Sequence, residues 1–151
     1  SGESTLSALV GLRRAGHKAR VSVFERPGVE WLADQVLLVA LPYTARSHNY
    51  DPAEFIRTLS GAADHAKVVL VLGHLNVEGA GPGSEVTKFP RGRDVFWPTA
   101  AIRERWGPRA FMVGGHLHRA QTVGGVRIVG SMLRLAFDEE DNEPGYLEIH
   151  A

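Results

Sequence analysis

Three histidines in this chain sit where a strand gives way to a glycine. Ala110-Phe111-Met112-Val113 reads as a short apolar strand, Gly114-Gly115 breaks it, and His116-Leu117-His118 follows at once. Val68-Val69-Leu70-Val71-Leu72 has the same build, ending at Gly73 with His74 next. Each segment delivers imidazole to the C-terminal tip of a strand, where ligands of open α/β sheets gather. Imidazole is the commonest protein ligand for divalent transition metals. His116 and His118, two residues apart, share a face on an extended backbone, and the paired glycines let that backbone approach an ion closely. His74, His116 and His118 are thus most of one metal site, without obvious carboxylates to complete it. The competing reading is that these imidazoles hydrogen-bond backbone carbonyls in tight turns. His17, His48, His65 and His150 lack this context and read as structural or surface residues, His17 following a helix end where a cation is favourable.

Other chemistries lack their residues. His118 is followed by Arg119-Ala120-Gln121, so no Asp-His pair completes an H-x-H-x-D-H zinc hydrolase signature. No Gly-Lys-Ser/Thr forms a phosphate loop, and no G-x-S-x-G supports a serine nucleophile. There are no cysteines, which excludes disulfides and thiolate metal sites.

The elements that must carry the histidines follow from pattern. Ser4 to Arg14 predicts a helix capped by Ser4 or Thr5 and ended by Gly16. Lys18 to Phe24 alternates as a half-exposed strand does. Val36 to Leu41 is a continuous apolar run, the mark of a buried strand. Asp51-Pro52 opens a helix, with Asp51 as cap, Pro52 in the first turn, Phe55, Ile56 and Leu59 as its apolar face, and Gly61 weakening its end. Residues 78 to 98 form a long Gly-, Pro- and charge-rich loop, a length usually functional or disordered. Pro98 to Trp106 reads as a helix closed by Gly107-Pro108. Gly124-Gly125, between Arg119–Val123 and Val126–Val129, is a hairpin signal. Leu133–Phe137 and Tyr146–His150 read as a last strand pair across an acidic turn. The 151 residues make one domain, of α+β or layered-sandwich class.

Composition narrows the setting. The apolar fraction, 44%, is that of a globular chain able to bury a core. No apolar run reaches the ~18 residues of a membrane span, and no signal peptide is recognisable, so no membrane partner and a cytoplasmic location are expected. Net charge is zero, yet Glu85 to Arg134 holds nine basic and three acidic residues. Such a stretch serves phosphate-rich partners or simply solvates a surface. The first residue is Ser1 rather than Met, so the chain reads as processed or as a piece of a longer one.

Gly115-His116-Leu117-His118 resembles the G-H-x-H block of calcineurin-like metallophosphoesterases, and Gly73-His74-Leu75-Asn76-Val77-Glu78-Gly79 resembles the lone-histidine block that precedes it. Leu41-Pro42-Tyr43, Ser84-Glu85, Gly115 to Gln121 and Gly130 to Glu139 come in the order of SbcD-type DNA-repair nucleases. The resemblance implies a layered β-sandwich flanked by helices and a phosphodiesterase with two divalent ions, Mn²⁺ foremost, with Fe or Zn²⁺ as alternatives. By position, His74 and His116 would ligate one ion and His118 the other. The family's Asp-x-His, Gly-Asp and Gly-Asn-His blocks are missing, and they precede the region matched here. The resemblance therefore makes residues 1–151 the C-terminal portion of the phosphoesterase domain, incomplete at its N-terminal side. The catalytic histidine would lie upstream, on an N-terminal segment or a companion chain, and this portion alone would show little activity. DNA and an SbcC-like ATPase are the implied partners, with Arg91, Arg93 and Arg119 contacting phosphate. The rival reading is a non-catalytic phosphoesterase-like module that binds nucleic acid or a partner protein.

Overall fold

The computed structural model describes residues 22–43, 50–81, 95–134 and 139–150. Six strands form one mixed sheet in the order β1-β2-β3-β4-β6-β5. They are β1 (Gly28–Ala33), β2 (Val36–Leu41), β3 (Val68–Gly73), β4 (Ala110–Gly114), β5 (Gln121–Val123) and β6 (Val126–Ile128). β2, β3, β4 and β6 run parallel, while β1 and β5 close the edges antiparallel to their neighbours. Helix α1 (Pro52–Thr58) connects β2 to β3, and α2 (Thr99–Trp106) lies between β3 and β4. The class is α+β, and among the described residues there is a single sheet layer.

Local chemistry explains the connections. The Asp51 carboxylate accepts from the backbone N–H of Ala53 and of Glu54, capping α1 as the Asp-Pro pair predicts. The helix ends at Thr58, before Gly61, which begins a 3-10 turn, Gly61–His65. Arg105 of α2 satisfies the end of α1, donating to the carbonyls of Ile56 (2.6 Å), Leu59 (2.9 Å) and Ser60 (3.0 Å) and pairing with Asp64. Gly124 and Gly125 both take positive φ, as the two-residue hairpin turn requires.

The strand pleat sorts side chains to two faces. Leu37, Val39, Leu41, Val69, Val71, Met112, Val126 and Ile128 join Ile56, Ile102, Trp97 and Trp106 in one buried core. The opposite face carries Leu38 and Ala40, which are buried, but also Leu72 and Phe111, 38% and 53% exposed.

Two strand expectations differ from what is seen. Of the strand expected over Lys18–Phe24, residues 18–21 lie outside the described residues and 22–24 are irregular. The strand that pairs antiparallel with β2 begins at Gly28 and turns through Asp34 and Gln35. Leu133, Arg134 and Tyr146–His150 form no strand. Among the described residues this segment has no ladder partner, and Tyr146 is 84% exposed. Residues 135–137 and the predicted helix Ser4–Arg14 lie outside the described residues.

Candidate metal centre at the strand tips

The four parallel strands end level. Leu41 is in register with Gly73, Gly73 with Gly114, and Gly114 with Ile128. The hydrogen-bond ladder continues one row further: His74 N–H donates to Leu41, Gly115 to Gly73 and Val129 to Gly114, each at 3.0 Å. The loops that carry the histidines are therefore held in step before any side chain is considered.

Glycine suits these tips because of what lies beneath them, most of all at Gly73. A Cβ on Gly73 would come 2.8 Å from the indole of Trp97, and one on Gly114 would meet the same ring at 3.3 Å. Trp97 is itself placed by an isolated bridge between Phe96 and Asn76, its N–H donating to Asn76 (2.9 Å) while Asn76 N–H donates to Val95 (3.1 Å). Gln121 ties the same loop to β5, through both its amide atoms, at Gly81.

On this platform the rings of His74 and His116 meet edge to face, with centroids 4.9 Å apart. Tyr43, two residues beyond β2, lies nearly parallel to His116 at 5.9 Å and edge-on to His74 at 6.2 Å. Burial, and then the charges of His116 and His118, hold the His74 pKa below its ordinary value. A neutral ring with an available lone pair is the form that ligates a metal. A cavity of about 870 Å³ adjoins the pair, lined in part by Phe24, Arg26, Tyr43, His74 and Gly115.

His118 is positioned differently. Leu117 points into the core, anchoring the His116-Leu117-His118 run. Gly130, at φ +84°, lets the following segment run tight against it: Ser131 N–H donates to the His118 carbonyl at 3.0 Å. The His118 Nδ1 lies 2.6 Å from Oε1 of Glu139, a carboxylate with no exposed surface.

The donor types fit a divalent ion: imidazoles at glycine-bounded tips, one ring backed by a carboxylate. Among the described residues no group of three or more His, Cys, Asp and Glu is arranged to hold a metal ion.

Of the phosphate-contact candidates, Arg119 is exposed directly after His118, while Arg91 and Arg93 lie outside the described residues. Much of the basic stretch serves the fold instead. Arg103 donates to the Gly124 carbonyl (2.6 Å), Arg109 to Ala66 (2.6 Å) and Arg134 to Asn142 (3.1 Å). His65 and His150 are exposed, His150 facing Glu148. Sequence reasoning missed Tyr43 and Glu139 as site residues; both lie in segments that carried the family resemblance, which was their one visible signal.

No family model matches the chain. Over 110 residues, 70% of its length, it is 31% identical to the SbcD subunit of the SbcCD nuclease of Escherichia coli (strain K12), and equally to its counterpart in Escherichia coli O157:H7. The chain spans about a quarter (24%) of the length of these curated relatives. The similarity supports a distant SbcD-like relationship. Among the described residues, no helix is long and apolar enough to cross a membrane.

Proposed function

We propose that this chain supplies the histidine part of a metal-dependent phosphodiesterase centre, in a DNA nuclease of SbcD type. The observation that carries the reading is the His74–His116 ring pair at the level tips of β3 and β4, where burial lowers the His74 pKa. His74 and His116 would hold one divalent ion and His118 a second, Mn²⁺ foremost. Such ions, when bound, polarise a phosphate oxygen and activate a water.

The chain's own residues do the positioning. The Gly73 and Gly114 rows fix the direction from which imidazole approaches, and Trp97 beneath them resists their movement. Tyr43 walls the ring pair on one side. Arg119 extends beside the site and supplies a charged, bidentate contact to a phosphate of the nucleic acid strand. Arg91 and Arg93 belong to the same proposed path, and an SbcC-like ATPase is the proposed partner. The half-open sheet face at Leu72 and Phe111 offers the second layer of a metallophosphoesterase sandwich a place to pack.

The test is Mn²⁺ binding and Mn²⁺-dependent nuclease activity of the full-length protein. His116→Ala should weaken Mn²⁺ binding at least tenfold and abolish cleavage. Unchanged binding and cleavage would sink the metal-centre reading.

The second reading, a non-catalytic module that docks a partner protein, draws on the apolar side chains of that half-open face. It requires that the full-length protein bind its partner while neither holding Mn²⁺ nor cleaving DNA.

A further inference from the structure

We infer that Glu139 is a positioning residue that fixes which nitrogen of His118 keeps its lone pair for chemistry. The inference rests on the metal-centre reading of the strand tips and deepens it.

Glu139 has no exposed surface, and a carboxylate removed from water needs strong partners. Its Oε1 lies 2.6 Å from Nδ1 of His118, the distance of a charge-assisted hydrogen bond. An ionised carboxylate can only accept, so Nδ1 carries the proton and donates. In the neutral ring this leaves the lone pair on Nε2, the nitrogen turned away from Glu139. The carboxylate both selects the tautomer and raises the basicity of Nε2, as carboxylates behind ligating histidines do.

The contact is built by long-range structure. Backbone bonds hold the described segments on either side of the contact. Ser131 N–H donates to the His118 carbonyl, made possible by the close approach at Gly130, where a Cβ would lie 3.0 Å from that same oxygen. Arg134 Nε–H donates to the Asn142 carbonyl, and Asn142 N–H donates to the Glu139 carbonyl at 2.9 Å. The fully buried Glu139 carboxylate there meets the partly exposed His118 ring. A purely structural pair would fix the same nitrogen but would leave metal affinity unmoved when Glu139 is replaced.

The experiment is ¹⁵N NMR of histidine-labelled full-length protein, with Co²⁺ titration followed by visible absorption. In the unsubstituted protein, His118 Nδ1 should resonate as a protonated nitrogen and Nε2 as an unprotonated one. Glu139→Ala should give mixed tautomers and a 10–100-fold loss of Co²⁺ affinity. Glu139→Gln, whose amide oxygen can still accept from Nδ1, should recover the tautomer and part of the affinity. An unprotonated Nδ1 in the unsubstituted protein overturns the inference. So does a Glu139→Ala protein that only melts earlier, with tautomer and Co²⁺ affinity unchanged. If Glu139→Ala does not fold, the unsubstituted protein and Glu139→Gln decide the question. If Co²⁺ does not bind at all, the metal-centre reading fails while the tautomer measurement still judges the role of Glu139.

Discussion

Along β3, Val69 and Val71 are buried under the two helices, whereas Leu72 on the other side of the same strand is 38% exposed. β4 repeats the contrast, with Met112 buried and Phe111 53% exposed. The two faces are alike in composition and unlike in cover. Parallel strands that are apolar on both sides belong to sheets packed on both sides. The helix face meets that rule within the described residues. The other face meets it only where Leu38 and Ala40 are buried, near the antiparallel edge. The histidines emerge at the tips, where the two faces meet, so the cover on each side bears on the site.

The largest effect should come from the covered face. Trp106 is fully packed and its indole N–H donates to the Ala63 carbonyl at 3.1 Å. Trp106→Ala should cost about 3–5 kcal/mol, read by urea unfolding; a cost near zero would mean that α2 does not hold this face. Phe111→Ser breaks or sharpens the contrast directly. With a second sheet layer packed against it, the change should cost the full-length protein about 2–3 kcal/mol. A change within about 0.5 kcal/mol, usual for exposed positions, would leave that face bare and remove the sandwich.

At the tips between the faces, Gly73→Ala drives a methyl group into Trp97 and should cost about 1–3 kcal/mol. It should also weaken Mn²⁺ binding, since His74 is the next residue; calorimetry with Mn²⁺ checks this. The smallest effect is that of pH on His74. Its folded pKa lies below the ordinary 6.5, so between those values the unfolded chain binds more protons. Its contribution to stability is therefore complete above pH 6.5 and is lost as pH falls through the folded value. An NMR titration of His74 with a midpoint at or above 6.5 would contradict the buried ring pair.

Where a few neighbouring residues decide the outcome, the sequence was readable. The apolar runs of β2, β3 and β4, the Asp51 cap, the Gly124-Gly125 turn and α2 all announce themselves locally. β1 did not, because Pro27-Gly28 and Asp34-Gln35 resemble loop punctuation and only pairing with β2 makes the residues between them a strand. Tyr146 to His150 shows the reverse: expected as one of a strand pair, it has no ladder partner among the described residues. At the site, the glycine-histidine tips for His74 and His116 could be read directly. Glu139 could not be read by spacing, since it meets His118 across 21 residues of chain. The positive stretch misled for a related reason. A count of arginines does not show that Arg103, Arg105 and Arg109 end on backbone carbonyls.

Trp97 has a consequence for how this sequence can vary. Its indole fills the space that a side chain would need at both Gly73 and Gly114. The three positions therefore cannot drift independently: a larger residue at either tip demands a smaller one at 97. Homologues with alanine or serine in place of either glycine should carry a trimmed side chain opposite it. In a laboratory selection, Trp97→Leu should arise as a suppressor of Gly73→Ala.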